Sequence, residues 1–245
     1  ILLTNKGVNA DYVRQIINLT QTTSGSYLLL ASLDISRRNL ALRGEESFAK
    51  VMDMAEYARR EINEIGGYYA YGKELVNGTS VYDYDVTKLS VHTLGLGLAG
   101  IEVYDLLRDE YDIQIEFGDV SNILAYISIG DRLQDIERLV GALADIARIY
   151  KKDSTGMLSG EFISPIVARS PQEAFYSAKE SLPVEKTEGR ISGEFVMCYP
   201  PGIPILAPGE MITDEIIQYI LYVKEKGCSM QGTEDKSVNK LKVLV

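Results

Sequence analysis

Histidine occurs once in this chain of 245 residues, at His92, and cysteine only twice, at Cys198 and Cys228. There is no CxxC pair, so the ligand spacing of a zinc site is missing. Two cysteines give no disulfide framework, which predicts a reducing, cytoplasmic setting. A basic stripe is missing as well. The net charge is −10, and the short basic pairs Arg37-Arg38, Arg59-Arg60 and Lys151-Lys152 sit beside acidic residues as solvated helix faces. That balance argues against duplex or RNA binding. No apolar run approaches the ~20 residues a membrane span needs, and ILLTNKG at the start has no signal-peptide layout. Internal repeats and low-complexity tracts are absent too.

What is present is an ordinary globular balance, 46% hydrophobic and 24% charged, enough for one large or two small domains with real cores. The chain opens on Ile1-Leu2-Leu3, an apolar run with no methionine, which reads as a buried strand in residues 1–4 and as the later part of a longer polypeptide. Asn9 or Asp11 caps a first helix through Leu19. QTTSGS, Gln21 to Ser26, breaks it. Two further helices are predicted, Tyr27–Gly44 ending on glycine and Glu45–Ile65 closed by Gly66-Gly67. The middle reads β-α-β-β-α, with strands at 88–93, 113–117 and 122–129 and helices at 101–111 and 133–150, a small sheet covered by helices on one face. Beyond the polar linker 151–160, helices are predicted at 171–181 (Ser170 as N-cap, Pro171 at N1) and at 213–226 (capped by Thr213), with strands at 191–198 and 241–245.

Residues 95–100 spell GLGLAG, a literal GxGxxG that follows a strand and opens a helix, with Glu116 near where a ribose-binding acid would lie. The context argues against a dinucleotide. The strands 113–117 and 122–129 are joined too closely for a crossover helix and predict an antiparallel hairpin. The plainer account is a tight strand-to-helix turn whose small residues let the helix pack close.

Two other stretches are more specific. Thr22, Thr23 and Ser24 stand beside Gly25 ahead of a helix, whose free N–H groups and positive dipole end suit a phosphate, though an N-cap and loop would look the same. YPPGIPILAPGE, Tyr199 to Glu210, holds four of the seven prolines and reads as a preset extended segment. QTTSGSYLLLASLDISRR and GEFVMCYPPGIPILAPGE together resemble the bacterial ornithine/lysine/arginine decarboxylases, and the resemblance continues through residues 88–131. YPPGIP followed closely by PGE is its most specific signature, and the short architecture is most similar to the biosynthetic arginine decarboxylases.

The resemblance implies an α+β chain. Residues 1–68 would end the large domain of a pyridoxal-phosphate enzyme of the aspartate-aminotransferase fold type, as one strand plus helices. Residues 69–245 would form a small C-terminal domain with a mainly antiparallel sheet. It implies pyridoxal 5'-phosphate as cofactor, with Thr22, Thr23 and Ser24 reaching its phosphate, although Gly25 stands where the family often has proline. It implies a basic amino acid as substrate and a homodimer or larger assembly. Glu194 would hold the distal cation of the substrate, its alternative being an ordinary surface glutamate. The family's Schiff-base lysine follows Ser-x-His, yet the only histidine lies in SVHT with no lysine after it, so that lysine is expected upstream and no catalytic residue in this chain. Cys198 and Tyr199 read as packing residues, His92 as a satisfied histidine, and Glu210 and Asp214 as groups at a helix start. The competing account is a non-catalytic α+β module that binds or regulates a partner decarboxylase.

Overall fold

The computed structural model describes residues 7–154, 163–199 and 201–245. The strand expected in residues 1–4 lies outside them, as does Pro200. Two compact units emerge, residues 1–49 and 50–245.

In the first, Asn9 caps α1 (Ala10–Thr20), its side chain accepting from the Asp11 and Tyr12 N–H groups at 3.0 and 3.2 Å. No described side chain before Lys50 is buried, and Leu28, at 84% exposed, is followed by exposed Leu29, Leu33, Ile35 and Leu42. These residues open α2 (Tyr27–Ile65). The sequence predicted a break at Gly44, but the helix runs through it. Gly44 does not adopt a positive φ, and the ~1 kcal/mol a mid-helix glycine costs is outweighed by strong formers on both sides, Ala41, Leu42, Glu45 and Glu46.

The second unit is α+β with antiparallel sheets. Its first layer is a four-stranded sheet of order β1-β2-β4-β3, built from β1 (Tyr69–Ala70), β2 (Lys88–His92), β3 (Phe117–Gly118) and β4 (Asn122–Tyr126), every pair antiparallel. The predicted hairpin is there, and no βαβ unit accompanies GLGLAG. Strand 113–117 is shorter than predicted: only Phe117 and Gly118 pair in the ladder, with Glu116 N–H adding one bond to the Leu124 carbonyl. Strand 122–129 stops at Tyr126 because Asp131 turns the chain, accepting the Ser128 N–H at 2.6 Å. Alternate residues of β2 and β4 face inward (Leu89, Val91, Ile123, Ala125) and meet Ala55, Ala58 and Ile62 of α2. The same core takes Val103 and Leu107 of α3 (Gly100–Tyr111) and Leu139, Leu143 and Ile146 of α4 (Leu133–Ile149).

The glycines of GLGLAG serve backbone crossings. Gly97 has φ +70° and faces the Lys152 and Asp153 carbonyls, and Gly100 faces those of Asn122 and Asp119. Here Lys152 returns after α4: its N–H donates to the Leu96 carbonyl, and its Nζ bonds Glu102 Oε1 at 2.8 Å. Glu102 Oε2 accepts the Ala99 N–H at 2.8 Å. Burial pushes the Glu102 carboxyl up, but Lys152, the Ala99 N–H and the Lys226 charge together hold it below its usual range. Its folded value is the lower one, so the contact stabilises fully at neutral pH and is lost as pH falls through that value. Glu102→Gln is therefore expected to cost about 1 kcal/mol at pH 7, discounted for the exposed lysine, and clearly less at a pH well below the ordinary carboxylate range. Urea midpoints of both proteins at the two pH values would read this; an equal difference at both would refute it.

The C-terminal half holds two more sheets. Ser170 caps α5 (Pro171–Tyr176), accepting the Glu173 N–H at 3.3 Å. That helix is shorter than the predicted 171–181, since residues 179–183 leave it for β5 (Lys179–Pro183), which pairs with β9 (Lys240–Leu244). β6 (Val196–Tyr199) is flanked by β7 (Ile203–Leu206) and β8 (Ser229–Gln231). The predicted strand 191–198 reduces to isolated bridges at Ile191 and Ser192 before β6 begins. α6 (Asp214–Glu225) starts as predicted at Thr213, whose Oγ1 accepts the Ile216 N–H. Ile212, Ile216 and Ile220 pack with Val196, Leu206, Leu241 and Val243 into a second core.

Candidate functional site

The hydroxyl run lies between α1 and α2. Thr22, Thr23 and Ser24 are exposed, and the Ser24 N–H donates to Thr22 Oγ1 at 3.3 Å. The helix ladder begins where Leu30 N–H meets the Ser26 carbonyl, so the first-turn amides of a 39-residue helix follow two residues after Ser24. Three hydroxyls and a helix N-terminus supply donors of the type a phosphate takes.

Glu194 belongs to the other unit. It sits in a bend between the Ser192 bridge and β6, where the Ser192 hydroxyl donates to the Glu194 carbonyl at 2.7 Å. Its half-buried carboxylate accepts two backbone N–H groups, Lys242 on Oε1 at 2.8 Å and Glu234 on Oε2 at 2.9 Å. These contacts come from the far end of the chain and give no local sequence signal. Each oxygen keeps a lone pair for a further donor.

The proline segment is a hairpin rather than one extended run. Gly202, at φ +86°, reverses the chain, and its N–H donates to the Cys198 carbonyl at 2.9 Å. Pro204 then lies opposite Met197 on β7, the edge strand of its sheet, where a missing N–H is tolerated. Tyr199 is exposed at the turn and Cys198 is buried beneath it. Glu210 does not act at the helix start: its Oε2 accepts the Ala207 N–H at 2.8 Å and closes the preceding turn. Asp214 does lie in the first turn of α6 and accepts from Gln218. His92 is half-buried on β2, with Nδ1 3.3 Å from Asn122 Oδ1 and its ring edge-on to Tyr71. Among the described residues no cluster of His, Cys, Asp or Glu could hold a metal ion, and no helix is long and apolar enough to cross a membrane.

Residues 1–135 match the sequence profile of the "Orn/Lys/Arg decarboxylase, major domain", and residues 160–236 that of its C-terminal domain. The chain belongs to the Orn/Lys/Arg decarboxylase family. Within it, the arginine decarboxylase of Bacillus subtilis (strain 168) is 40% identical over 240 residues, covering 97% of this chain and 49% of the relative. That of Halalkalibacterium halodurans is 41% identical over 243 residues, with the same coverage. Among solved family structures, the Francisella novicida lysine decarboxylase superposes with a TM-score of 0.72 at 19% identity, over 97% of this chain and 46% of the other. The Escherichia coli constitutive lysine decarboxylase gives 0.71 at 18%, over 98% and 46%. The chain thus spans about half the length of the curated relatives it matches. In this Orn/Lys/Arg decarboxylase family member no lysine follows the single histidine.

Proposed function

We propose that this chain is the C-terminal part of a pyridoxal-phosphate-dependent decarboxylase of a basic amino acid, arginine before lysine or ornithine, which releases agmatine for polyamine synthesis in the cytoplasm. The observation that carries the reading is 40% identity across 97% of the chain to an arginine decarboxylase twice its length. In this reading residues 1–68 close the large domain, residues 69–245 form the small one, and the Schiff-base lysine lies upstream. Bound pyridoxal phosphate supplies the electron sink that loss of carbon dioxide requires.

The residues of this chain bind and orient. Thr22, Thr23 and Ser24 donate to the phosphate along with the first amides of α2. Glu194, anchored by two amides, turns its remaining lone pairs to the distal guanidinium or ammonium of the substrate, a charge-assisted contact. The exposed leucines of α2 support a homodimer or larger assembly in which the rest of the polypeptide covers them.

The test is product formation by the full-length polypeptide with cofactor on arginine, lysine and ornithine. Agmatine from arginine is expected, and Glu194→Gln is expected to raise KM about 10–100-fold, the worth of one hydrogen bond to a charged group. No product from any of the three would end the reading; an unchanged KM would remove Glu194 alone. The single histidine without a following lysine favours a second reading, a non-catalytic module that binds or regulates a partner decarboxylase. Intact mass after borohydride reduction separates the two, because only the first yields a polypeptide carrying reduced cofactor.

A further inference from the structure

The two cysteines of this chain stand next to each other. Both are buried, and both belong to one apolar cluster with Ala99, Ile101, Val120 and Val223. In the β6–β8 ladder Cys198 pairs with Met230 and Tyr199 with Ser229. Cys228 therefore falls one step beyond the last pair, on the sheet face that carries Cys198 and Met230, as the diagonal neighbour of Cys198. The two thiols are close enough for each to shift the ionisation of the other. Diagonal partners start slightly farther apart than the ~6.8 Å a disulfide allows between Cα atoms. Glycines stand on both sides of the pair: Gly227 at φ +79° precedes Cys228, and Gly202 at φ +86° follows the end of β6.

We propose that Cys198 and Cys228 are a disulfide-forming dithiol, oxidised reversibly by a peroxide, which ties the end of the β6–β8 ladder and pins the proline turn above it. Two roles follow from the opposite shifts of the pair. The neighbouring Cys228 pulls the Cys198 thiol below its ordinary range against burial and the nearby Asp119 charge, whereas Cys198 and burial push Cys228 up. Cys198 is the attacking thiolate and Cys228 the resolving thiol. The Cys198 thiolate attacks one peroxide oxygen, the O–O bond breaks, and the departing hydroxide takes a proton to leave as water. Attack by the Cys228 sulfur on the resulting sulfenic acid expels a second water and forms the S–S bond. Two thiols and one peroxide thus give one disulfide and two waters. A cytoplasmic disulfide of this kind is transient, and thiol exchange returns it.

Trypsin reads the result directly. It cuts after Arg190, Lys224, Lys226 and Lys236, so Cys198 lies in residues 191–224 and Cys228 in residues 227–236. The reduced full-length polypeptide is treated with hydrogen peroxide, unfolded, alkylated with iodoacetamide and digested without reductant. The two peptides are expected as one species about 2 Da lighter than their sum, resolved by dithiothreitol. In Cys228→Ser, dimedone is expected to label Cys198 as the trapped sulfenic acid. Both peptides alkylated separately, as in untreated protein, would overturn the proposal, as would either cysteine linked elsewhere. The wild-type linkage decides the matter even where the serine variant does not fold.

Discussion

Replacing Arg59 with methionine is expected to lower the stability of the unit formed by residues 50–245 by about 2–5 kcal/mol, the loss of two hydrogen bonds from a buried charged donor. Arg59 is a cation only 6% exposed. Its Nε donates to the Tyr71 carbonyl at 2.5 Å and its Nη2 to the Val86 carbonyl at 3.0 Å. One guanidinium thereby holds both ends of the irregular segment between β1 and β2 against α2, and it lies over the Tyr84 ring at 5.7 Å. The ion pair with Glu56 at 3.0 Å adds little, because that carboxylate is largely solvated. Methionine keeps the apolar stem and removes the donors, so the measured loss reports the two carbonyls. Lysine is expected to recover only part of it, since a single ammonium lacks the planar fork that reaches both. Urea unfolding of the three proteins is the measurement. A methionine variant within about 0.5 kcal/mol of the parent, the range of ordinary surface changes, would show that water replaces the arginine without loss.

Gly100→Ala is expected to be equally damaging, at about 3 kcal/mol or failure to fold, because overpacking against backbone has no rotamer to relieve it. A Cβ on Gly100 would land on the Asn122 carbonyl oxygen and within 2.7 Å of that of Asp119. Gly118 faces the Gly100 carbonyl in return. α3 therefore starts with its backbone against the β3–β4 turn, held by Ile101 N–H on the Asp119 carbonyl at 2.8 Å. The control carries the opposite sign. Gly141 lies inside α4 with nothing within 4 Å of its missing Cβ, so Gly141→Ala is expected to stabilise by about 0.5–1 kcal/mol through helix propensity. Thermal melts of the two variants should move in opposite directions. Equal shifts would mean that the close crossing at Gly100 is not what its glycine serves.

The parts legible in the sequence were those decided within a few residues. Asn9, Ser170 and Thr213 cap helices because a short polar side chain reaches its own backbone, and the spacing of Leu139, Leu143 and Ile146 writes α4 directly. Part of what was misread depended on distant partners. β1 and β8 are too short to carry a periodic signal and exist because β2 and β6 pair with them. Gly44 looked like a stop, and only its neighbours on both sides make it a passage. The proline segment looked extended because prolines fix their own φ, yet the reversal is made by Gly202. For the candidate site, Thr22, Thr23, Ser24 and Glu194 came from motif resemblance. The anchoring of Glu194 by Glu234 and Lys242, and the contact between Cys198 and Cys228, join residues that no local pattern connects.

The pairing of β5 with β9 sets an order on synthesis. Lys179 pairs with Leu244, and β6, β7, α6 and β8 are all made in between. The proline hairpin can close soon after translation, but β5 has no partner until Lys240–Leu244 has left the ribosome, a delay on the order of seconds. During that interval its backbone donors and acceptors are open to any strand nearby, including the same segment on a neighbouring nascent chain. β9 is thus the strand whose arrival closes this exposure.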